Sequence, residues 1–106
     1  MTELRQRQPR QKDEKFLRFL RQQRFCVCSH APPVHAAHIR MGSIEHNKRS
    51  TGMGERPDDR WSLPVCVVCH LDGNGSIHRM GEEAFWADKT DPFQLAIALY
   101  ERFIRL

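Results

Sequence analysis

The segment CVVCHLDGNGSIH, Cys66 to His78, places two thiols and two imidazoles around a glycine-broken spacer. A second thiol pair, Cys26 and Cys28, lies upstream with His30 beside it. Close cysteine pairs in a reducing compartment read as thiolate metal ligands, with two disulfides as the competing reading. A structural zinc is tetrahedral, with ligands at roughly 2.0–2.3 Å, and it commonly takes two from each of two converging segments. Cys66-x-x-Cys69 has the spacing for one half. Cys26 and Cys28, one residue closer together, supply the other, and His30 can replace either of them.

If those four hold zinc, His70 directly follows a ligand and must turn away from that ion, toward a second site. His78 is eight residues on. An unbroken helix would carry it about 12 Å from His70, too far to share an ion. Gly73-Asn74-Gly75 favours a turn that folds His78 back. His38, in HAAHIR, is a further imidazole. Neutral imidazole near pH 7 is suited to taking a proton from water, while a divalent ion stabilises charge on a phosphate and its leaving oxygen. A structural histidine and a surface histidine are the plainer readings of His38 and His78.

The elements that must position these groups are short. Asp13 is an N-cap candidate for a helix in which Phe16, Phe19 and Leu20 recur at i, i+3 and i+4. VHAAHI and RWSLPVCVV are strand candidates, the second running straight into Cys66, while Pro32 and Pro33 exclude a continuous helix before the first. Residues 42–60 have no period and read as a long loop, which in a compact domain is functional or disordered. GEEAFWADK is a short helix. Asp91-Pro92 opens a final helix with Phe93, Ala96, Ile97, Tyr100, Phe103 and Ile104 on one stripe and Leu95, Leu99 and Leu106 beside it. That stripe is wide enough to hold a homodimer surface as well as core.

A chain of 106 residues is most simply one domain, over 13–106, behind a flexible basic tail at 1–12. A core this small often recruits a metal or a partner. Seventeen Lys and Arg against thirteen Asp and Glu give a formal charge of +4, which permits a nucleic-acid partner without requiring one. No apolar run approaches the roughly 20 residues of a membrane span, and no signal-peptide core is present, so the expectation is a soluble intracellular protein with no membrane partner.

AHIR, then the glycine-rich loop GMGERPDD, then PVCVVCH and a later His78, together resemble the HNH endonuclease superfamily. More narrowly they are similar to the small phage- and prophage-encoded HNH nucleases associated with recombination. The likeness covers roughly residues 16 to 90 and rests on several motifs in one order. It implies an α+β fold with a small ββα-metal (His-Me finger) core, zinc knuckles and flanking N- and C-terminal helices. It also implies a DNA endonuclease of the bacterial or phage-infected cytoplasm, acting in recombination or DNA processing, with a recombination protein as a further partner.

Carried over by motif, His38 is the general base, and Cys26, Cys28, Cys66 and Cys69 hold a structural Zn²⁺. His70, with His78, holds a catalytic Mg²⁺ or other divalent ion. Asp59 takes the place of the central asparagine, as a ligand or by holding the loop, with Asp58 as its competitor. Arg40 would clamp the scissile phosphate through bidentate hydrogen bonds, and Lys48, Arg49, Arg56 and Arg60 would track the DNA backbone. The chain departs from the pattern at Ala37, where many members carry a metal-ligating Asp or His. Either fewer protein groups hold the ion, or His38 is a ligand and His35 the base. A zinc-ribbon module that binds nucleic acid or protein without chemistry is the alternative, and it gives His38, His70 and His78 no shared task.

Overall fold

The computed structural model describes residues 11–23, 33–51, 56–72, 75–87 and 89–106, leaving aside the side chains of Asp72 and His78. The fold is a small mixed α+β arrangement. Helix α1 (Glu14–Arg21) precedes strand β1 (Val34–His38) and strand β2 (Ser62–Cys66). A π-helical turn (Val68–Asp72) leads to two short helices, α2 (Ile77–Met80) and α3 (Glu82–Trp86), and then to the long C-terminal α4 (Pro92–Ile104). Among the described residues no helix is long and apolar enough to cross a membrane.

Helix α1 starts where the cap chemistry places it: the Phe16 N–H donates to Asp13 Oδ1 at 3.1 Å. Phe16, Leu17 and Leu20 form its buried stripe. Phe16 and Leu20 are wholly shielded, each worth about 1.5–3 kcal/mol of transfer free energy. The stripe meets α4 through rings, with Phe16 edge-on to Tyr100 at 4.9 Å and both Phe16 and Phe19 at 5.4 Å from Phe103. Helix α4 is capped as its sequence requires, Asp91 Oδ1 accepting from Phe93 N and Gln94 N, with Pro92 in the first turn. Its apolar stripe is only partly used. Ala96 is fully buried, Phe93, Leu95, Ile97 and Leu99 are half-buried against the core, and Ile104 is exposed.

The two strands pair antiparallel, with Val34 opposite Cys66, His35 opposite Val65 and His38 opposite Ser62. Ile39 N donates to Trp61 O just beyond the strands. Hydrogen-bonded pairs alternate along an antiparallel ladder, so Pro64, opposite Ala36, falls in a non-hydrogen-bonded pair. Its ring nitrogen faces the sheet's outer edge, where the missing donor costs the ladder nothing. Side chains also alternate between faces. Ala37, Leu63 and Val65 join Trp61, Phe85, Trp86 and Ala96 in the main core.

Part of the long loop is built. Ser43 and Lys48 exchange backbone hydrogen bonds of 2.7 and 2.9 Å around a turn that carries Asn47 at a φ of 53°, and Thr51 N returns to Arg40 O at 3.0 Å. Gly42 is required by this return, since a Cβ there would lie 2.8 Å from both the Ser50 amide nitrogen and hydroxyl oxygen. The Lys48 ammonium turns inward and donates to Met41 O (2.5 Å) and Arg49 O (3.3 Å). Gly81, at a φ of 90°, joins α2 to α3 in a conformation that other residues rarely adopt. It delivers Glu82 to the end of β1, where the carboxylate accepts from Arg40 N at 2.8 and 3.0 Å and from Met41 N at 2.9 Å.

Candidate functional site

The sheet register brings His38 and Asp59 together. His38 Nε2 lies 2.9 Å from Asp59 Oδ1. Asp59 is buried, at 2% exposure, while the His38 side chain retains 18%. An ionised carboxylate only accepts, so Nε2 carries the proton and donates it. The lone pair of the neutral ring is then left on Nδ1, the state a general base needs.

The Asp59 carboxylate is itself held. Its Oδ2 accepts from Asp13 N at 2.7 Å, and its backbone N–H donates to Gln11 O at 2.9 Å. Gln11 N donates in turn to Asp58 Oδ1 at 2.8 Å. Asp13 uses Oδ1 as the α1 cap and Oδ2 to accept the Tyr100 hydroxyl at 2.8 Å. That hydrogen bond, followed by burial, raises the Tyr100 pKa above the usual phenol value. Of the two adjacent aspartates, Asp59 therefore faces the histidine and Asp58 the N-terminal segment. Gln11, expected in a free tail, is tied down here. Ser62, opposite His38 in the register, is fully buried, and its Oγ has no hydrogen-bond partner among the described residues.

His70 is positioned differently. The π-helical turn after Cys66 returns the chain over β1, and His70 Nδ1 comes to 3.1 Å from His35 Nδ1, with ring centroids 5.4 Å apart and the planes at 76°. His35 and His38 are an odd number of residues apart on a regular strand, so they leave opposite faces of the sheet. Three residues of strand also separate them by about 10 Å along its axis. The imidazoles expected to serve one site thus stand in two pairs, His38 with Asp59 and His35 with His70.

Cys66 and Cys69 are buried, at 3% and 7% exposure, at the end of β2 and within the π-helical turn. Cys26, Cys28 and His30 lie outside the described residues, as does the side chain of His78, whose backbone is in α2. Among the described residues no group of three or more His, Cys, Asp or Glu is gathered to hold a metal.

The basic residues divide as well. Arg40, Arg49, Arg56 and Arg60 are exposed. The Arg60 guanidinium lies 5.0 Å from the centre of the Trp61 ring. Lys48, expected to track a phosphate backbone, is instead 8% exposed and spent on two carbonyls. Burial lowers its pKa below the ordinary lysine value, against an opposing pull from Glu82. An open groove of about 520 Å³ between the Ser43–Lys48 turn and the α3–α4 junction contains Glu45, Glu83 and Asp91, an acidic lining that does not favour phosphate.

One contributor gave no sign in the sequence and another only part of its role. Glu82 gave no signal, since one carboxylate at a helix start is ordinary. In the sequence His35 stands only as an alternative base, where Ala37 departs from the HNH pattern, and its nearness to His70 depends on strand register. Comparison with protein-family models, curated proteins and solved structures gives no match.

Proposed function

We propose that this chain is a metal-dependent endonuclease that hydrolyses DNA phosphodiester bonds on a ββα-metal type of core. The observation that carries the proposal is the His38–Asp59 pair. A buried carboxylate fixes one ring nitrogen and leaves the other as a base, and exposed arginines at 40 and 60 follow close along the chain from His38 and Asp59. In this mechanism His38 Nδ1 takes a proton from water, Asp59 holds the ring and stabilises the imidazolium that forms, and Arg40 neutralises the phosphate. His70 would hold a divalent ion, with His78 as its expected partner, and such an ion would supply charge stabilisation to the phosphate only where bound DNA spans from the His38 face to the His70 side of β1. Cys66 and Cys69, two buried thiols at knuckle spacing, fit one half of a structural zinc site.

One observation favours the second reading, a non-catalytic zinc-ribbon module that binds nucleic acid or a protein. His35, against which His70 lies, and His38 leave opposite faces of β1, which removes the shared task that distinguishes an enzyme from a binder. A plasmid-nicking assay with Mg²⁺, Mn²⁺ or Ni²⁺ decides between them. Cleavage that falls by roughly 10²-fold or more in His38→Ala supports the nuclease. Undiminished cleavage in that variant sinks the mechanism, and binding without cleavage of any DNA tested establishes the module.

A further inference from the structure

We propose that His35 and His70 together hold one divalent transition-metal ion through their Nδ1 atoms, and that this site prefers an imidazole-seeking ion such as Ni²⁺ or Zn²⁺ to Mg²⁺. The inference takes from the nuclease proposal only the role of His70 as a ligand. It adds the partner residue and the class of ion.

The geometry points to it directly. Two imidazole nitrogens bonded to one ion at 2.0–2.1 Å stand about 2.9 Å apart when they subtend a right angle, and about 3.4 Å apart at the tetrahedral angle. His35 Nδ1 and His70 Nδ1 are 3.1 Å apart, between those limits. Two lone pairs at that distance repel unless a proton or a cation lies between them. A proton gives an ordinary hydrogen bond between neutral rings, and a cation gives a chelate.

Two further features suit the chelate. Both side chains are only half-buried, so an ion has access from solvent and the rest of its coordination is open to water or a phosphate oxygen. The pair also bridges two segments, a strand and the turn after the partner strand, each fixed by the register that sets His35 opposite Val65. Imidazole nitrogen suits nickel, zinc, copper and iron, whereas Mg²⁺ keeps oxygen ligands and water, which sets the expected preference.

The test is calorimetric titration of Ni²⁺ into the full-length protein freed of loosely held metal by dialysis, alongside His35→Gln, His70→Gln and His38→Gln, each checked for folding by circular dichroism. The expected result is a Ni²⁺ site that binds at least tenfold more tightly than Mg²⁺. Affinity should fall about tenfold or more in His35→Gln and His70→Gln and stay unchanged in His38→Gln. In the wild type, paramagnetic Ni²⁺ should broaden the imidazole resonances of His35 and His70 before those of His46. This readout decides the matter even if a variant does not fold. Unchanged Ni²⁺ affinity in folded His35→Gln, or sharp His35 resonances at saturation, overturns the proposal.

The two proposals fail separately. Loss of Ni²⁺ binding in His35→Gln, in a protein that never nicks DNA, leaves the ion site standing and removes the nuclease. Nicking that persists in His35→Gln with Ni²⁺ affinity intact removes the ion site alone.

Discussion

Asp59 is a buried acid with two acceptors in use, one oxygen on His38 Nε2 and the other on Asp13 N. In the proposed mechanism its value is orientation and tautomer, because a carboxylate leaves His38 no choice of which nitrogen keeps the proton. Asp59→Asn keeps the shape, but its amide can donate to Nε2 and so drive the proton onto Nδ1. Cleavage should therefore fall by roughly 10²-fold in kcat with KM little changed, read in a steady-state nicking assay. A loss confined to KM would mean that Asp59 serves DNA binding instead. Tyr100 gives a second test at this scale. Its folded pKa is raised above 10.0, chiefly by the hydrogen bond to Asp13, so the neutral phenol is the form the fold favours. The stability it contributes is fully present below about pH 10 and is lost as pH rises through the folded value. The stability gap between the wild type and Tyr100→Phe, measured by urea denaturation, should be constant to about pH 10 and then shrink.

The N-terminal segment and β1 are joined to the site by backbone. Gln11 and Asp13 take or give three hydrogen bonds with Asp58 and Asp59, so the entry to α1 is also the wall behind His38. Deleting residues 1–12 should lower kcat several-fold, because Asp59 loses the acceptor for its N–H. A change in salt-dependent KM alone would show the segment to act only as a basic arm. How much of this was legible follows from where each signal resides. Helices α1 and α4 declared themselves through Asp13, Asp91-Pro92 and i, i+3, i+4 apolar spacing, and the two strands through apolar runs bounded by prolines and charge. All of these are local. The inward turn of Lys48 is not, since its acceptors, Met41 O and Arg49 O, converge only when Gly42 lets the chain pass Ser50. The pairing of Asp59 with His38 was half legible, as a loop acid expected near the base. The pairing of His70 with His35 required a register and a π-helical turn that no periodicity encodes.

For the molecule as a whole, a two-stranded sheet is a thin support. It draws support from α1 and α4, which pack against it, and from Phe85 and Trp86 of α3 in the shared core, and it has two outer edges where a larger sheet would have interior strands. Pro64, buried like the rest of β2, sits at the middle of that strand with its nitrogen turned to one of them, so the edge is reached only where the covering chain opens. A foreign strand laid along that edge would meet no donor at its centre and would lose a hydrogen bond just where pairing must be continuous to propagate. Pro64→Val restores the donor and supplies a strong strand former. The variant should show concentration-dependent light scattering that the parent does not, with little change in the helices by circular dichroism. If that result holds, the proline inside the five-residue strand that ends at Cys66 also guards the sheet against recruitment into fibrils.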